Sequence, residues 1–231
     1  MKSVFITGTD TEVGKTVVTG LLAKFLADKG ISVITQKWIQ TGSESFPADI
    51  ETHLKLMGKD KASIEKYLTL ICPYIFKLPA SPHLAAALEN KKIDPCKIKK
   101  AFTELKNKFD TVIVEGIGGA LVPFSEKELL IDIAMDLDIP IIIVVKNKLG
   151  AINHTLLTIE ALQNRNMKIL GVIFNSAENE NEQIAADNPK IINALTQVKV
   201  LGTLPWSKNE SLLHRAFENI GHNILNTQKE L

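Results

Sequence analysis

The residues best suited to chemistry stand at the start of the chain, in Gly8-Thr-Asp-Thr-Glu-Val-Gly14-Lys15-Thr16. A turn that opens on glycine and closes on Gly-Lys-Thr can curl backbone N–H groups around an anion. A helix beginning there adds the positive end of its dipole. In that setting a lysine reaches the β- and γ-phosphates of a nucleotide, and a threonine hydroxyl can ligate Mg2+. Ser3-Val-Phe-Ile-Thr7 reads as a short apolar strand before the turn, and Val18, Leu21, Leu22, Phe25 and Leu26 recur at helical spacing after it. Strand, glycine turn and helix are the setting that a phosphate-binding P-loop requires. The spacing departs from the usual G-x-x-x-x-G-K-[ST] in one respect: five residues, not four, separate Gly8 from Gly14.

Further candidates follow from the elements that must position this loop. Thr111-Val-Ile-Val-Glu115, Ile139-Pro-Ile-Ile-Ile-Val-Val145, 169–174 and 200–204 are continuous apolar runs. Such runs are typical of parallel strands covered on both faces. A further strand over 30–36 ends at Lys37. Helical patterns fall between the strands, from Asp49 to Gly58 and over 94–108, 127–137, 151–164 and 183–197. Ser81-Pro82 reads as an N-cap followed by proline at the first helical position. The alternation predicts a doubly wound, mostly parallel α/β sheet with helices on both faces, of the P-loop NTPase type. The segments 40–47 and 59–80 read as loop or irregular chain, 178–182 as a solvated acidic loop, and no element is assigned beyond Leu212.

Ligands of such sheets bind outside the carboxyl ends of the strands. Lys37, Glu115, Lys146 to Lys148, Asn175 and Pro205-Trp206 are therefore the polar residues brought together by topology. Glu115 ends its strand as a Walker-B acid does, and Glu-Gly-Ile-Gly-Gly119 supplies a second flexible loop. Asp49 is either a second metal carboxylate or an N-cap. Lys37 either flanks a transferred phosphoryl group opposite Lys15 or snorkels from a strand end. Lys146-Asn147-Lys148 approaches the guanine-reading Asn-Lys-x-Asp, but Gly150 stands where the acid should, which weighs against a GTPase. The histidines lack metal-type spacing and read as satisfied or surface groups.

The 231 residues, 45% hydrophobic with a formal net charge of +1, suit one α/β domain over 1–231. The near-neutral balance points to neither nucleic-acid nor membrane-surface binding. The apolar run ending at Val145 is too short for a bilayer. Met1-Lys-Ser-Val-Phe leads straight into a strand, so no signal peptide is expected. Cys72 and Cys96 read as reduced thiols of a cytoplasmic protein.

Taken together, the motifs resemble the dethiobiotin synthetase family over residues 1 to about 210. They are the loop 8–16, Lys37 with Gln40-Thr41-Gly42, Ser81-Pro82-His83, Val114-Glu-Gly-Ile-Gly-Gly119, Lys148-Leu-Gly-Ala-Ile-Asn-His154, Asn175 and Pro205-Trp206. The five-residue loop spacing belongs to that family. The resemblance implies an ATP- and Mg2+-dependent cyclo-ligase that forms C–N bonds, closing 7,8-diaminononanoate (diaminopelargonate) with CO2 to dethiobiotin in biotin synthesis. It implies Lys37 and Lys15 as catalytic residues and Thr16, Asp49 and Glu115 as metal ligands. Thr11, Glu12, Val13, Gly14, Val17, Gly116, Gly118, Asn175, Pro205 and Trp206 would contact the nucleotide. Thr41, Gly150, Ala151 and Asn153 would contact the substrate, the last three across a homodimer interface. Trp38 follows Lys37 where the family commonly has proline, so a reshaped substrate wall is expected.

Two other classes share parts of this pattern. Dimeric-switch P-loop ATPases usually carry an extra lysine early in the loop, where this chain has Thr9, Asp10 and Thr11. Amide-forming cobyrinate ligases carry an appended glutaminase domain, for which 231 residues are expected to leave no room.

Overall fold

The structure, a computed structural model, describes residues 2–178 and 180–230; Met1, which leads into the first strand, and Asn179, within the acidic loop, lie outside the described residues. The first half runs β1 (Val4–Gly8), α1 (Lys15–Asp28), β2 (Val33–Lys37), β3 (Ile39–Thr41), α2 (Ala48–Met57), α3 (Leu68–Ile71), β4 (Tyr74–Phe76), α4 (Pro82–Leu88) and α5 (Pro95–Lys106). The second half runs β5 (Thr111–Glu115), α6 (Leu130–Asp136), β6 (Ile141–Asn147), α7 (Ala151–Gln163), β7 (Ile169–Ser176), α8 (Glu182–Thr196), β8 (Val200–Leu204) and α9 (Glu210–Lys229).

Among the described residues, six strands form one sheet in the order β2-β5-β1-β6-β7-β8. Every pairing in it is parallel. Strand pleating divides the core in two. Val4 and Ile6 of β1 join Val18, Leu22 and Leu26 of α1 and Phe217, Ile220 and Ile224 of α9 on one face. Phe5 joins Ile98 and Phe102 of α5, Ile159 and Leu162 of α7 and Ile192 of α8 on the other. Both faces are covered, which suits the continuous apolar runs within β5 and β6. The chain leaves β1, passes out to β2, returns to β5 and then crosses to β6. The loop after β1 therefore sits where the strand order reverses, the ligand position of such sheets.

The boundaries differ from the sequence expectation in instructive places. Segment 59–80 is not irregular: it holds a 3-10 turn at Lys61–Tyr67, then α3 and β4. Likewise 40–47 begins as strand, because Ile39–Thr41 pairs in parallel with Tyr74–Phe76 in a separate two-stranded sheet. Three-residue strands are too short to show a period of two, which is why neither was recognised. The strand expected at 139–145 runs over Ile141–Asn147. The unassigned C-terminus forms the 20-residue α9, capped by the Asn209 side chain, which accepts from the N–H groups of Ser211 and Leu212. Its apolar face, Leu213, Phe217, Ile220 and Ile224, is spaced by three and four residues. Ser81 precedes Pro82 at the start of α4 as expected, but its side chain makes no capping hydrogen bond.

One packing contact bears directly on the site. A Cβ on Gly20 of α1 would lie 2.7 Å from Leu56 Cδ1 and 3.3 Å from the Cα of His53. A bare glycine lets α2 close onto α1 at the level of the phosphate loop.

Candidate active site

The parallel register of β2 and β5 places Lys37 directly beside Glu115 at the carboxyl ends of the two strands. Lys37 Nζ donates to Glu115 Oε1 at 2.9 Å and to the Gly116 carbonyl at 2.7 Å. It also pairs with Asp49 Oδ2 at 2.7 Å. Thr16, at the start of α1, donates from Oγ1 to Glu115 Oε1 at 3.0 Å or Asp49 Oδ1 at 3.2 Å. Residues from β2, β5, α1 and α2 thus meet at one point. Asp49 is not the N-cap of α2: that position belongs to Pro47, and Asp49 lies one residue inside the helix with its carboxylate turned to Thr16 and Lys37. Lys37 does not snorkel either, being 2% exposed.

The electrostatics follow from burial and proximity. Burial works against the Lys37 ammonium, but the Glu115 and Asp49 carboxylates outweigh it and leave its pKa raised. Burial also works against charge on Glu115, yet Lys37 and then His53 hold its carboxyl far below the usual carboxylate range. The pair is ionised on both sides. Among the described residues Lys15 has no such carboxylate partner: its Nζ donates to the Asp10 carbonyl at 2.8 Å. Burial, helped by the Lys37 charge, lowers its pKa to about 8. It is a cation held at a cost, ready for an anionic partner.

The loop itself is built around Gly14, which has φ +102° and no room for a side chain, since a Cβ would meet Asn175 Nδ2 at 2.1 Å. Asn175, at the end of β7, donates to the Val13 carbonyl at 3.0 Å. Val13 is buried, Thr11 and Glu12 are exposed, and Glu12 adopts φ 55°. Val17 lies in the first turn of α1. Gly116 extends β5 by donating to the Ile6 carbonyl at 2.9 Å, and Gly118 turns the following loop at φ 60°. The next residue brings that loop against the first: a Cβ on Gly119 would lie 3.6 Å from the carbonyl oxygens of Gly8 and Thr9. A groove of about 360 Å3 runs between these loops and α7, lined by Thr9, Asp10, Gly119, Leu121, His154 and Leu157 among others.

Other expected residues stand further out. Thr41 ends β3, half-buried. Pro205 and Trp206 are exposed after β8, with Lys208 Nζ 5.6 Å from the Trp206 ring centroid. Gly150 caps α7 at φ 85°, Ala151 is buried behind it, and Asn153 is exposed on the first turn. Asn147, one of the strand-end candidates, is wholly buried: it donates to the Ala185 carbonyl at 2.9 Å and accepts from Asn188 at 2.8 Å, pinning α8 to β6. Trp38 is also in the core, its ring 5.1 Å from Phe5 and its Nε1 donating to Gln36 Oε1. It lies beneath the site and forms none of its surface. Cys72 is buried, which pushes its thiol up to about 12, while Cys96 is exposed.

Sequence reasoning missed His53. It is fully buried and its Nε2 lies 2.6 Å from Glu115 Oε2. Its spacing from Asp49 is i,i+4 on α2, the one signal that could have found it.

The oxygen donors suit a hard divalent cation. Among the described residues no group of three or more His, Cys, Asp or Glu side chains is placed to hold a metal. Two carboxylates and a hydroxyl is nevertheless the set by which Mg2+ is held when substrate phosphates complete its shell. Thr16, Asp49 and Glu115 fit that pattern.

Comparison with known proteins agrees with the motif order. The chain matches the AAA domain family model over residues 2–211. It is 44% identical over 184 residues to the ATP-dependent dethiobiotin synthetase BioD 2 of Haemophilus ducreyi, covering 80% of this chain and 87% of that protein. It is 42% identical over 200 residues to the ATP-dependent dethiobiotin synthetase BioD of Chlorobaculum tepidum, covering 87% and 83%. Among solved structures, cobyrinic acid a,c-diamide synthase from Mycobacterium smegmatis with bound ADP and magnesium superposes with a TM-score of 0.60 at 16% identity, over 99% of this chain and 96% of that one. The MinC:MinD cell division complex of Aquifex aeolicus gives 0.59 at 17%, over 100% and 97%. These two likenesses show a shared P-loop fold and nothing finer. With its loop spacing, its motif order and these identities, the chain belongs to the dethiobiotin synthetase family.

Proposed function

We propose that residues 1–231 act as one cytoplasmic P-loop domain that closes diaminopelargonate and CO2 to dethiobiotin at the expense of ATP. The observation that carries this reading is the meeting of Lys37, Thr16, Asp49 and Glu115, all linked within 3.2 Å, beside a loop of this family's spacing. One substrate amine takes up CO2 as a carbamate. A carbamate oxygen attacks the γ-phosphorus of ATP, and the bond to the ADP oxygen breaks. The second amine then attacks the carbamoyl carbon, loses its proton, and expels phosphate with the carbamate oxygen.

Lys15 and Lys37 lie on either side of the transferred group and neutralise charge as it develops on the phosphoryl oxygens. Thr16, Asp49 and Glu115 would hold Mg2+, which would offset the polyphosphate charge. Thr11, Glu12, Val13, Val17, Gly116 and Gly118 shape the phosphate cradle; Asn175, Pro205 and Trp206 face the base, with Asn175 Oδ1 the acceptor for an adenine amino group. Thr41 borders the substrate, whose apolar chain suits the groove past Leu121 and Leu157. A dimeric-switch ATPase is disfavoured because Thr9, Asp10 and Thr11 stand where the extra lysine would be. Incubation with diaminopelargonate, bicarbonate, Mg2+ and ATP should give dethiobiotin by mass spectrometry; ATP loss without that product would refute the reading.

Three expectations arise from the geometry. Glu115→Gln and Thr16→Val should each raise the Mg2+ concentration for half-maximal activity, because both donors belong to one coordination sphere. Mg2+ titrations that overlay the wild type would remove that assignment.

Nucleotide binding should also respond to pH through Lys15. Its pKa is lowered to about 8, so it loses its charge as pH rises past that point, and polyphosphate binding must restore the proton. ADP affinity should fall about fivefold from pH 8 to pH 9, with proton uptake visible by calorimetry in buffers of different ionisation enthalpy. Affinity flat across that range would show that Lys15 does not meet the phosphates as a cation.

The dimer is tested at α7. Its N–H groups behind Gly150 and Ala151, with the exposed Asn153, form an anion-favouring helix start suited to a substrate carboxylate from the partner protomer. Asn153→Ala should raise KM for diaminopelargonate by roughly tenfold, the worth of one hydrogen bond to a charge, and leave ATP affinity intact. Light scattering should report a dimer at micromolar protein. A fully active monomer, or an unchanged KM, contradicts the shared site.

A further inference from the structure

His53 belongs to no motif of the phosphate loop, yet it is buried against the most strongly perturbed carboxylate of the site. Its Nε2 lies 2.6 Å from Glu115 Oε2, and its Nδ1 is buried without a hydrogen-bond partner among the described residues. Burying an unpaired ring nitrogen is unfavourable. An ionised carboxylate can only accept, so the proton resides on Nε2 and that nitrogen donates. Glu115 then divides its oxygens: Oε2 faces His53, while Oε1 faces Thr16 at 3.0 Å and Lys37 at 2.9 Å. The same helix face of α2 presents Asp49 one turn earlier, and Gly20 permits the close approach of α2 that brings both residues within reach.

We propose that His53 is a positioning residue, which clamps Glu115 Oε2 so that Oε1 is presented to the Mg2+–phosphate site. The inference rests on the proposed role of Glu115 as a metal ligand. A carboxylate ligand whose second oxygen is fixed by a buried N–H has one orientation in place of several, and partners of this kind commonly change metal affinity 10- to 100-fold, by about that factor, when removed.

The test measures metal binding, not turnover. Mn2+ binding to the full-length protein–ADP complex is followed by electron paramagnetic resonance for wild type, His53→Leu and His53→Gln. The glutamine amide nitrogen can occupy the Nε2 position; leucine fills space without a donor. In His53→Leu the Mn2+ dissociation constant should rise about tenfold or more, and His53→Gln should recover to within about threefold of wild type. ADP affinity in EDTA should stay the same in all three. Wild-type Mn2+ affinity in His53→Leu, equal losses in the leucine and glutamine variants, or a parallel loss of metal-free ADP affinity would each overturn the proposal. If His53→Leu does not fold, glutamine is compared with asparagine, whose amide sits at the Nδ1 position and should not rescue. Glu115→Gln is run alongside. If it binds Mn2+ like wild type, the metal reading of the site itself fails and the role of His53 fails with it. If Glu115→Gln is impaired but His53→Leu is not, only the positioning role fails.

Discussion

Lys37→Met is expected to abolish turnover and weaken the fold together, a combination that no surface lysine could produce. Loss of a fixed cation beside the transferred phosphoryl group should lower kcat at least about a hundredfold. The same substitution leaves Glu115, 1% exposed, and Asp49 without the cation that both contact, at 2.9 and 2.7 Å. Removing one partner of a buried ion pair typically costs about 3 kcal/mol or more; Asp49, a quarter exposed, keeps part of its hydration, so the lower end applies. The pH dependence has a definite sign. Burial pushes the Glu115 pKa up, but Lys37 and His53 overcome it and hold it below the unfolded value. A depressed carboxylate contributes stability that is full above about pH 4 and is lost as pH falls. Without Lys37 that contribution shrinks, so the wild-type advantage in urea unfolding should be greatest near pH 7 and narrow below about pH 4. Equal unfolding midpoints at pH 7 would show that Lys37 does not anchor the two carboxylates.

Lys15→Met should separate activity from stability in the opposite way. The Lys15 charge is unfavourable in the folded protein, because burial and then the Lys37 charge lower its pKa to about 8. Its one hydrogen bond is to the Asp10 carbonyl. An isosteric apolar side chain removes a disfavoured buried cation, so the melting temperature should hold or rise. Turnover should fall at least about a hundredfold, since a preorganised contact at a developing charge is lost, typically worth about 3 kcal/mol. A variant that melts well below wild type, or one that turns over normally, would show that Lys15 supports the loop and not the phosphates.

These two lysines also show what the sequence made legible. Lys15 was readable because its role is set locally, by a glycine turn between a strand and a helix. Lys37 and Glu115 were readable as strand ends, but their pairing depends on the β2–β5 register across 78 residues of separation, and so on the fold as a whole. Asp49 was ambiguous for the same reason: an acid near a helix start is a cap until tertiary structure shows where it points. His53 was hidden by the common satisfied state of buried histidines. Trp38, read as part of the substrate wall, faces the opposite way because β2 pleats alternately, which sends Lys37 to the site and Trp38 into the core beside Phe5. The parallel strands were visible through their apolar runs. The short β3–β4 pair and the 3-10 turn were not, since their local signal is weaker than the pairing that creates them. The amphipathic α9 carried a helical period and an asparagine cap, but its apolar positions only become a face once α1 and β8 are packed against it.

The chemistry is tested most directly by following one oxygen. Freshly dissolved 18O-bicarbonate is supplied in unlabelled water with diaminopelargonate, Mg2+ and ATP, and phosphate and dethiobiotin are analysed by mass spectrometry after a single turnover. If a carbamate oxygen attacks the γ-phosphorus, dethiobiotin forms and the released phosphate carries 18O that came from bicarbonate. Unlabelled phosphate released without dethiobiotin would mean that water is the nucleophile, and that these lysines and carboxylates serve a hydrolase instead.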